Sequence, residues 1–325
     1  MTRNRIFESG LAASFSTFLD EKRALGLRYT TEEHALRALD HHLAGVGHRV
    51  SSLPREIVDA WAGKRVHESA RTHATRVAIV RQFSRFLRRN GIDAHVPPSL
   101  GSPIARLQFT PRIFSRVEVD RVLTASLRLP PDGRAPHRHL IMPELFRVLY
   151  SCGLRCGEAL RLRVGDVDLE AGVLTIRQGK FRKDRLVPVA DSLLARLRVY
   201  AATMGERPIT AVFFPAPHGG SYSLHTPYTT FRRLLRAAGI AHGGRGLGPR
   251  VHDLRHTFAV HRLEAWYRAG ADLGAKLPLL SAYMGHESIA ATQRYLRLTP
   301  ELFPDLASRM ELSMGKWIPR PEETT

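Results

Sequence analysis

A proline-rich break, Val96-Pro97-Pro98-Ser99-Leu100-Gly101-Ser102-Pro103, separates two stretches of this chain that follow different patterns. Proline lacks a backbone donor and pushes the residue before it out of helical geometry, so this run reads as an extended linker and not as part of a helix or a central strand. On its N-terminal side the pattern is helical throughout. Residues 11–24 (Leu11, Phe15, Phe18, Leu19), 31–45 and 69–89 (Val77, Val80, Phe83, Phe86, Leu87) repeat apolar side chains at spacings of three and four, the signature of amphipathic helices. On its C-terminal side helices alternate with a short β-rich stretch. The expected organisation is a helical domain over 1–95, a linker over 96–111 and a mixed domain over 112–325, which makes the chain mainly α with a small β-sheet, an α+β protein. A length of 325 residues suits two cores better than one.

In the second domain Ser115 is placed to cap a helix whose stripe is Val117, Val119, Val122 and Leu123. A long apolar helix is expected around Pro143–Cys152. From Gly172 the residues Val173, Thr175 and Ile176 form a strand, and the chain turns through Gln178-Gly179-Lys180-Phe181-Arg182-Lys183-Asp184. It returns through Leu186-Val187-Pro188-Val189, giving a hairpin with a basic tip. Further on, Asp191 is expected to cap a helix over 192–204. Thr226 and Pro227 should supply the N-cap and first residue of a helix that ends before Gly239.

Charge narrows the partner. Lys and Arg number 49 against 30 Asp and Glu, a net charge of +19. With 43% hydrophobic residues the chain can fold around a core, so the excess is carried on a folded surface. It is spread over Arg76–Arg89, Arg177–Arg185 and Arg232–Arg236, which points to a nucleic acid. The third helix presents Arg71, Arg76, Arg81 and Arg85, with Arg88 and Arg89, as a second face that would lie along phosphates or else be a solvated surface. No run of about 18 apolar residues is present to span a bilayer, and the start lacks the apolar stretch of a signal peptide. No membrane association and a cytoplasmic location are expected. Cys152 and Cys156 lie four apart in one expected helix, a spacing that closes no useful loop and completes no metal site, so both read as small buried residues.

Breaking a phosphodiester needs a nucleophile, positive donors for the non-bridging oxygens and an acid for the leaving oxygen. Arg155 follows Gly153, whose freedom would let the guanidinium project from a helix start. His252 and Arg255, three apart, share one helical face and can reach one phosphate. Arginine offers a planar fork of donors and histidine a proton that moves near neutral pH. His256 and His261 stand beside them as structural candidates. His286 follows Gly285, and Tyr295 comes nine residues later beside a polar Thr-Gln-Arg run. A second use of His252 and Asp253, as metal ligands of a phosphohydrolase, lacks the further His and Asp partners such a site requires.

Taken in order, Gly153-Leu154-Arg155 with Glu158, Gly179-Lys180, His252-Asp253-Leu254-Arg255-His256-Thr257-Phe258, Gly285-His286 and Tyr295 resemble the tyrosine recombinase (phage integrase) family over roughly residues 111–300. The resemblance implies a helical, SAM-like core-binding domain and a catalytic domain closing as a C-shaped clamp on duplex DNA with specific recombination sites. It implies that Tyr295 is the nucleophile of a 3′-phosphotyrosyl intermediate, that Arg155 and Arg255 hold the non-bridging oxygens, and that Lys180 protonates the 5′ oxygen. His252 would act as acid and base on the tyrosine side, and His286 would orient the phosphate. Arg182, Lys183 and Arg185 at the hairpin would contact DNA. No metal or other cofactor is implied.

The sequence also departs from the family pattern. Phe181 follows the hairpin lysine where glycine is common, and Lys183 competes with Lys180. The interval from Arg255 to Gly285 is long, and Tyr283-Met284 replaces a pair of leucines, which resembles a transposon or mobile-element subgroup. After the tyrosine, Leu302, Leu306 and Met310 make an apolar stripe. It would pack on its own domain or dock a neighbouring copy in a dimer or tetramer on DNA. Type IB topoisomerase chemistry and a non-catalytic DNA-binding protein are the alternatives.

Overall fold

The computed structural model describes residues 7–27, 29–49, 51–101, 111–177, 184–244, 248–298 and 308. The expectations for Lys180, Arg182 and Lys183, and for the stripe Leu302, Leu306 and Met310, lie outside the described residues. The chain divides into two compact units, Met1–Phe109 and Thr110–Thr325.

The first unit holds helices α1 (Ala12–Ala24), α2 (Thr30–Gly45), α3 (Arg55–Ala62) and α4 (Ala70–Arg89). Its core forms because α4 turns Val80, Phe83 and Leu87 toward Phe15, Phe18, Leu39 and Leu43 of the first two helices. Phe83 stacks on Phe15 at 4.2 Å and meets Phe18 edge-on at 5.5 Å, contacts worth about 0.5–1.5 kcal/mol each beyond simple burial. The Ser69 hydroxyl caps α4 by accepting from the Thr72 N–H at 3.0 Å. Helix α3 is an addition to the sequence reading, because eight residues with only Val58 and Trp61 buried leave too little period to read. The start of the proline-rich run is tied down. Leu53 bridges Ala94, and Arg81 donates to the Pro97 carbonyl.

In the second unit helices α5 (Arg116–Leu127), α6 (Arg138–Ser151) and α7 (Cys156–Ala159) precede a three-stranded antiparallel sheet. Its strands are β1 (Val167–Asp168), β2 (Val173–Ile176) and β3 (Arg185–Pro188), with Val173 opposite Pro188 and Ile176 opposite Arg185. Helices α8 (Asp191–Met204), α9 (His225–Ala237), α10 (Asp253–Arg268), α11 (Leu273–Met284) and α12 (Ile289–Gln293) follow, and a 3₁₀ turn over Arg294–Leu298 carries Tyr295. Two apolar clusters form. The larger gathers Phe114, Phe146, Phe213, Phe214 and Phe231, and the smaller joins α10, α11 and the 3₁₀ turn through Phe258, Leu263, Leu277, Met284 and Tyr295.

Ser115 caps α5 as expected. It accepts from the Glu118 N–H at 3.2 Å while Glu118 accepts from the Ser115 N–H at 2.9 Å. Ser115→Ala is expected to cost about 1 kcal/mol, read as a lower denaturant midpoint with unchanged slope. No shift would mean that Glu118 alone suffices.

Other starts differ from expectation. Helix α8 begins at Asp191 itself, after Ala190. Helix α9 begins at His225, so Thr226 and Pro227 sit within its first turn, where the missing proline donor has no helical partner to lose. Cys152 and Cys156 do not share a helix, because Cys152 ends α6 and Cys156 opens α7 across the Gly153 turn. Cys152 is buried as expected, whereas Cys156 is partly exposed; burial still pushes their thiols up to about 12 and about 11, so both stay protonated.

Candidate active site

The C-terminal end of α11 organises the site. A helix leaves its last carbonyls without intrahelical partners and concentrates negative potential there. Three consecutive carbonyls at this end each accept from an arginine: Tyr283 from Arg185 Nε at 2.9 Å, Met284 from Arg255 Nη2 at 2.7 Å, and Gly285 from Arg155 Nη2 at 3.0 Å. Gly285 has φ +66° and ends the helix, and a Cβ there would come within 2.9 Å of Arg185 Nη1. Glycine is therefore required twice, by the backbone and by the packed guanidinium. His286 comes next and is delivered to the same place.

Arg155 stands before α7, projecting from a helix start as expected. Glu158, one turn on, receives its Nη1 at 2.8 Å and the Nη2 of Arg185 at 2.8 Å, with its own side chain only 1% exposed. Burial alone would raise this carboxyl. The hydrogen bonds and charges of Arg185 and Arg155 outweigh it and hold the group at about 2. Glu158 is thus the anion that lets two guanidiniums sit side by side.

Arg255 is 2% exposed and donates from Nη1 to the Gly153 carbonyl at 2.5 Å. Gly153 has φ +58°, and a Cβ would lie 2.4 Å from the Phe258 ring. The tight turn between α6 and α7 and the first two turns of α10 are therefore packed against each other with nothing to spare. Desolvation, then the nearby Arg155, lowers the Arg255 guanidinium to about 10, still protonated at neutral pH.

Tyr295 is 3% exposed, and its hydroxyl lies 2.9 Å from His256 Nδ1. Burial raises the phenol, while Arg255, Arg294 and Arg155 pull the other way and leave a smaller net rise. His286 stacks near the same ring at 6.1 Å, and its Nδ1 lies 2.7 Å from the buried Thr292 hydroxyl, which fixes the imidazole. His252 occupies the residue before α10 and reaches solvent, its ring perpendicular to His256 at 4.8 Å. Arg155, Arg255, His286 and Tyr295 are gathered into one cluster with His252 at its rim. His256, which sequence reasoning left among structural candidates, is the side chain in contact with the phenol. Its signal was there: His252 and His256 are four apart and share a helical face. His261, the other candidate, pairs instead with the Tyr150 hydroxyl at 2.9 Å.

The three imidazoles are held neutral. Desolvation is the first cause in each case. It is joined for His252 and His286 by Arg255 and Arg155, giving about 4 and about 3, and for His256 by His252 and Arg255, giving about 3. Between those values and the ordinary 6.5 the unfolded chain binds protons that the folded chain refuses, so stability falls with falling pH. Glu158 acts in the same direction lower down. Its contribution is whole above the ordinary 4.5 and is lost as pH falls toward about 2. The unfolding temperature of the second unit is expected to drop steadily from pH 7 to pH 4 in calorimetry, and a flat profile would contradict the neutral-imidazole arrangement.

Several basic residues read as DNA-facing are engaged inside the chain. Arg76 is 7% exposed and pairs with Glu68 at 2.7 Å while donating to the Trp61 and Gly63 carbonyls. Arg185 is committed to Glu158 and Tyr283, and Arg81 to Pro97. The first two differ from the phosphate role because they sit on inward faces. Arg71 and Arg85 are exposed on α4. Asp253 accepts from the Arg250 N–H at 2.7 Å, and among the described residues no three His, Cys, Asp or Glu side chains are grouped to hold a metal ion. Nor is any described helix long and apolar enough to cross a membrane.

Residues 115–301 match the phage integrase family. An integrase/recombinase of Sinorhizobium fredii, y4rB, is 33% identical over 299 residues, covering 90% of this chain and 95% of that protein. Tyrosine recombinase XerD of Pseudomonas aeruginosa is 30% identical over 301 residues, covering 87% of this chain and 92% of its own length. Among solved structures, a XerH site-specific recombinase bound to a palindromic difH substrate aligns with a TM-score of 0.60 at 18% identity, over 92% of this chain and 85% of that one. A lambda integrase dimer bound to a COC′ core site gives 0.60 at 14% identity, over 88% and 76%. At those identities the structural likeness speaks for the fold, which is mainly helical with one small sheet.

Proposed function

The chain belongs to the phage integrase family of tyrosine recombinases and is a site-specific recombinase acting on DNA, and on that premise we propose that Tyr295 cuts and rejoins the strand through a 3′-phosphotyrosyl bond. The observation that carries this reading is the buried Tyr295 hydroxyl on the 3₁₀ turn, hydrogen-bonded to α10 and lying in the field of Arg255, Arg294 and Arg155.

A phenol titrating near 10 is a weak nucleophile at neutral pH. Cations that favour the developing phenolate and the charge moving onto phosphate oxygens are what the reaction requires. In this reading Arg155 and Arg255 hold the non-bridging oxygens, with the α11 carbonyls and Glu158 setting where each fork points. His286, fixed by Thr292, hydrogen-bonds the phosphate, and His252 assists at the rim. Lys180 protonates the departing 5′ oxygen as the P–O5′ bond breaks and the Tyr295–phosphorus bond forms. The phosphodiester energy stays in the covalent bond for rejoining.

Duplex DNA with specific sites is the substrate, bound by a core-binding domain (1–95) and by a catalytic domain (112–325), with a linker over 96–111. Exposed Arg71 and Arg85 and the hairpin residues Arg182 and Lys183 contact the phosphates. The stripe Leu302, Leu306 and Met310 docks a neighbouring copy, giving a dimer or tetramer on DNA. Membership of a transposon or mobile-element subgroup fits the long interval before Gly285.

The test is covalent capture. A pool of randomised duplexes carrying nicks, incubated with the chain in the presence of a chelator, should leave protein-linked DNA after denaturation. A pool that yields no linked DNA, despite salt-sensitive binding, would contradict the mechanism.

A further inference from the structure

Tyr295 is almost fully buried, so its proton has no direct route to bulk water. Nδ1 of His256 stands 2.9 Å from the hydroxyl, with the two rings 5.6 Å apart and tilted by 54°. His256 follows Arg255 directly on α10, so the backbone turn that anchors the guanidinium also fixes the imidazole. We propose that His256 is a catalytic residue, taking the proton from Tyr295 as the bond to phosphorus forms and returning it on rejoining. The proposal rests on the tyrosine reading above and moves the proton-accepting role from His252 to its neighbour one turn on.

The groups facing His256 fit that task. His252 and Arg255 face it from α10, Arg250 from the segment before α10, and Arg294 and Tyr295 from the 3₁₀ turn. All except the phenol are cations or can become cations, and burial adds to their effect, so the imidazole is unprotonated at neutral pH. In the tautomer with its proton on Nε2, the Nδ1 lone pair accepts the phenolic O–H. A phosphodiester entering the site brings one negative charge among these cations, which offsets the field that disfavours imidazolium at the moment the proton arrives.

In the forward step the Tyr295 oxygen gains phosphorus and its proton passes to Nδ1, while P–O5′ breaks and the 5′ oxygen takes a proton from the acid. Rejoining reverses each transfer. His252, perpendicular at 4.8 Å and open to solvent, stands neutral at the rim.

A nicked duplex recovered by the covalent capture above, remade with sulfur in place of the 5′ bridging oxygen, isolates the tyrosine side, because the thiolate leaves without needing an acid. Single-turnover adduct formation is then followed against pH for the wild-type chain, His256→Asn and His256→Ala. Asparagine keeps an oxygen able to accept the phenolic hydrogen bond but cannot take its proton. Both variants are expected to be slowed by about 10² at pH 7, with rates that climb toward pH 9 as the phenol ionises unaided. The wild-type rate should stay level, and free imidazole should partly restore His256→Ala.

Asparagine at the wild-type rate with a level profile would overturn the proposal, leaving only a positioning contact. So would a wild-type rate that climbs about tenfold per pH unit, since that is the behaviour of a phenol with no base. Tyr295→Phe in the same assay separates the two readings. An adduct there sinks the tyrosine assignment itself, whereas no adduct together with an indifferent His256 sinks this inference alone.

Discussion

Tyr295→Phe is expected to abolish covalent capture of DNA while leaving the fold and the DNA affinity nearly intact. The phenyl ring keeps its place among Phe258, Leu263, Leu277 and Met284. Only the 2.9 Å contact with His256 is lost, which costs about 1 kcal/mol on the scale of a single hydrogen bond. DNA affinity is governed mainly by phosphate neutralisation, and a neutral substitution leaves the net charge of +19 unchanged. The measurement is a denaturing gel beside a native binding gel and a melting curve. A linked species in the variant would show another nucleophile, and a chain that binds nothing would show that the hydroxyl is structural.

Glu158→Gln is expected to have the largest effect on stability of any single exchange in the site. The carboxylate faces both Arg155 and Arg185 and is 1% exposed, so removing its charge leaves two guanidiniums together with Arg255 and no buried counter-charge. Breaking a buried pair from one side costs about 3–5 kcal/mol. In a unit of roughly 200 residues that is a fall of about 6–20 °C in melting temperature. The hydrogen bonds glutamine retains put the result at the lower end. Arg155 would also lose the partner that aims it, so adduct formation should fall with stability. A loss under about 1 kcal/mol would mean that the helix-end carbonyls hold the arginines without Glu158.

These effects clarify how far the sequence could be read. Helices α1, α2, α4 and α5 were legible because each has several turns of apolar period, and α5 also carries its cap. Helix α3 and strand β1 were not, being too short for periodicity to accumulate. The starts of α8 and α9 were misplaced by one residue or two, since Asp, Thr and Pro serve the first turn of a helix as well as its cap. Arg76 could have been read as buried: with Val80, Phe83 and Leu87 it falls on the apolar stripe of α4, and its partner Glu68 lies just before the helix.

In the site, Arg155, His252, Arg255, His286 and Tyr295 were visible as an ordered set. The arrangement around them was not. The meeting of Arg185 with Glu158, of three arginines with the end of α11, and of His256 with Tyr295 all depend on chain segments brought together by folding. Sequence separations from 27 to 130 residues carry no local signal of contact.

One phenol, held beside Arg255 and His256, is proposed to take the DNA phosphate onto itself. The most direct measurement is protease digestion of captured protein–DNA adduct followed by mass spectrometry of the nucleotide-bearing peptide. A single modified residue is expected, Tyr295, joined through a phosphate to the 3′ side of the cut. A nucleotide on any other residue, or on the 5′ side, would contradict it.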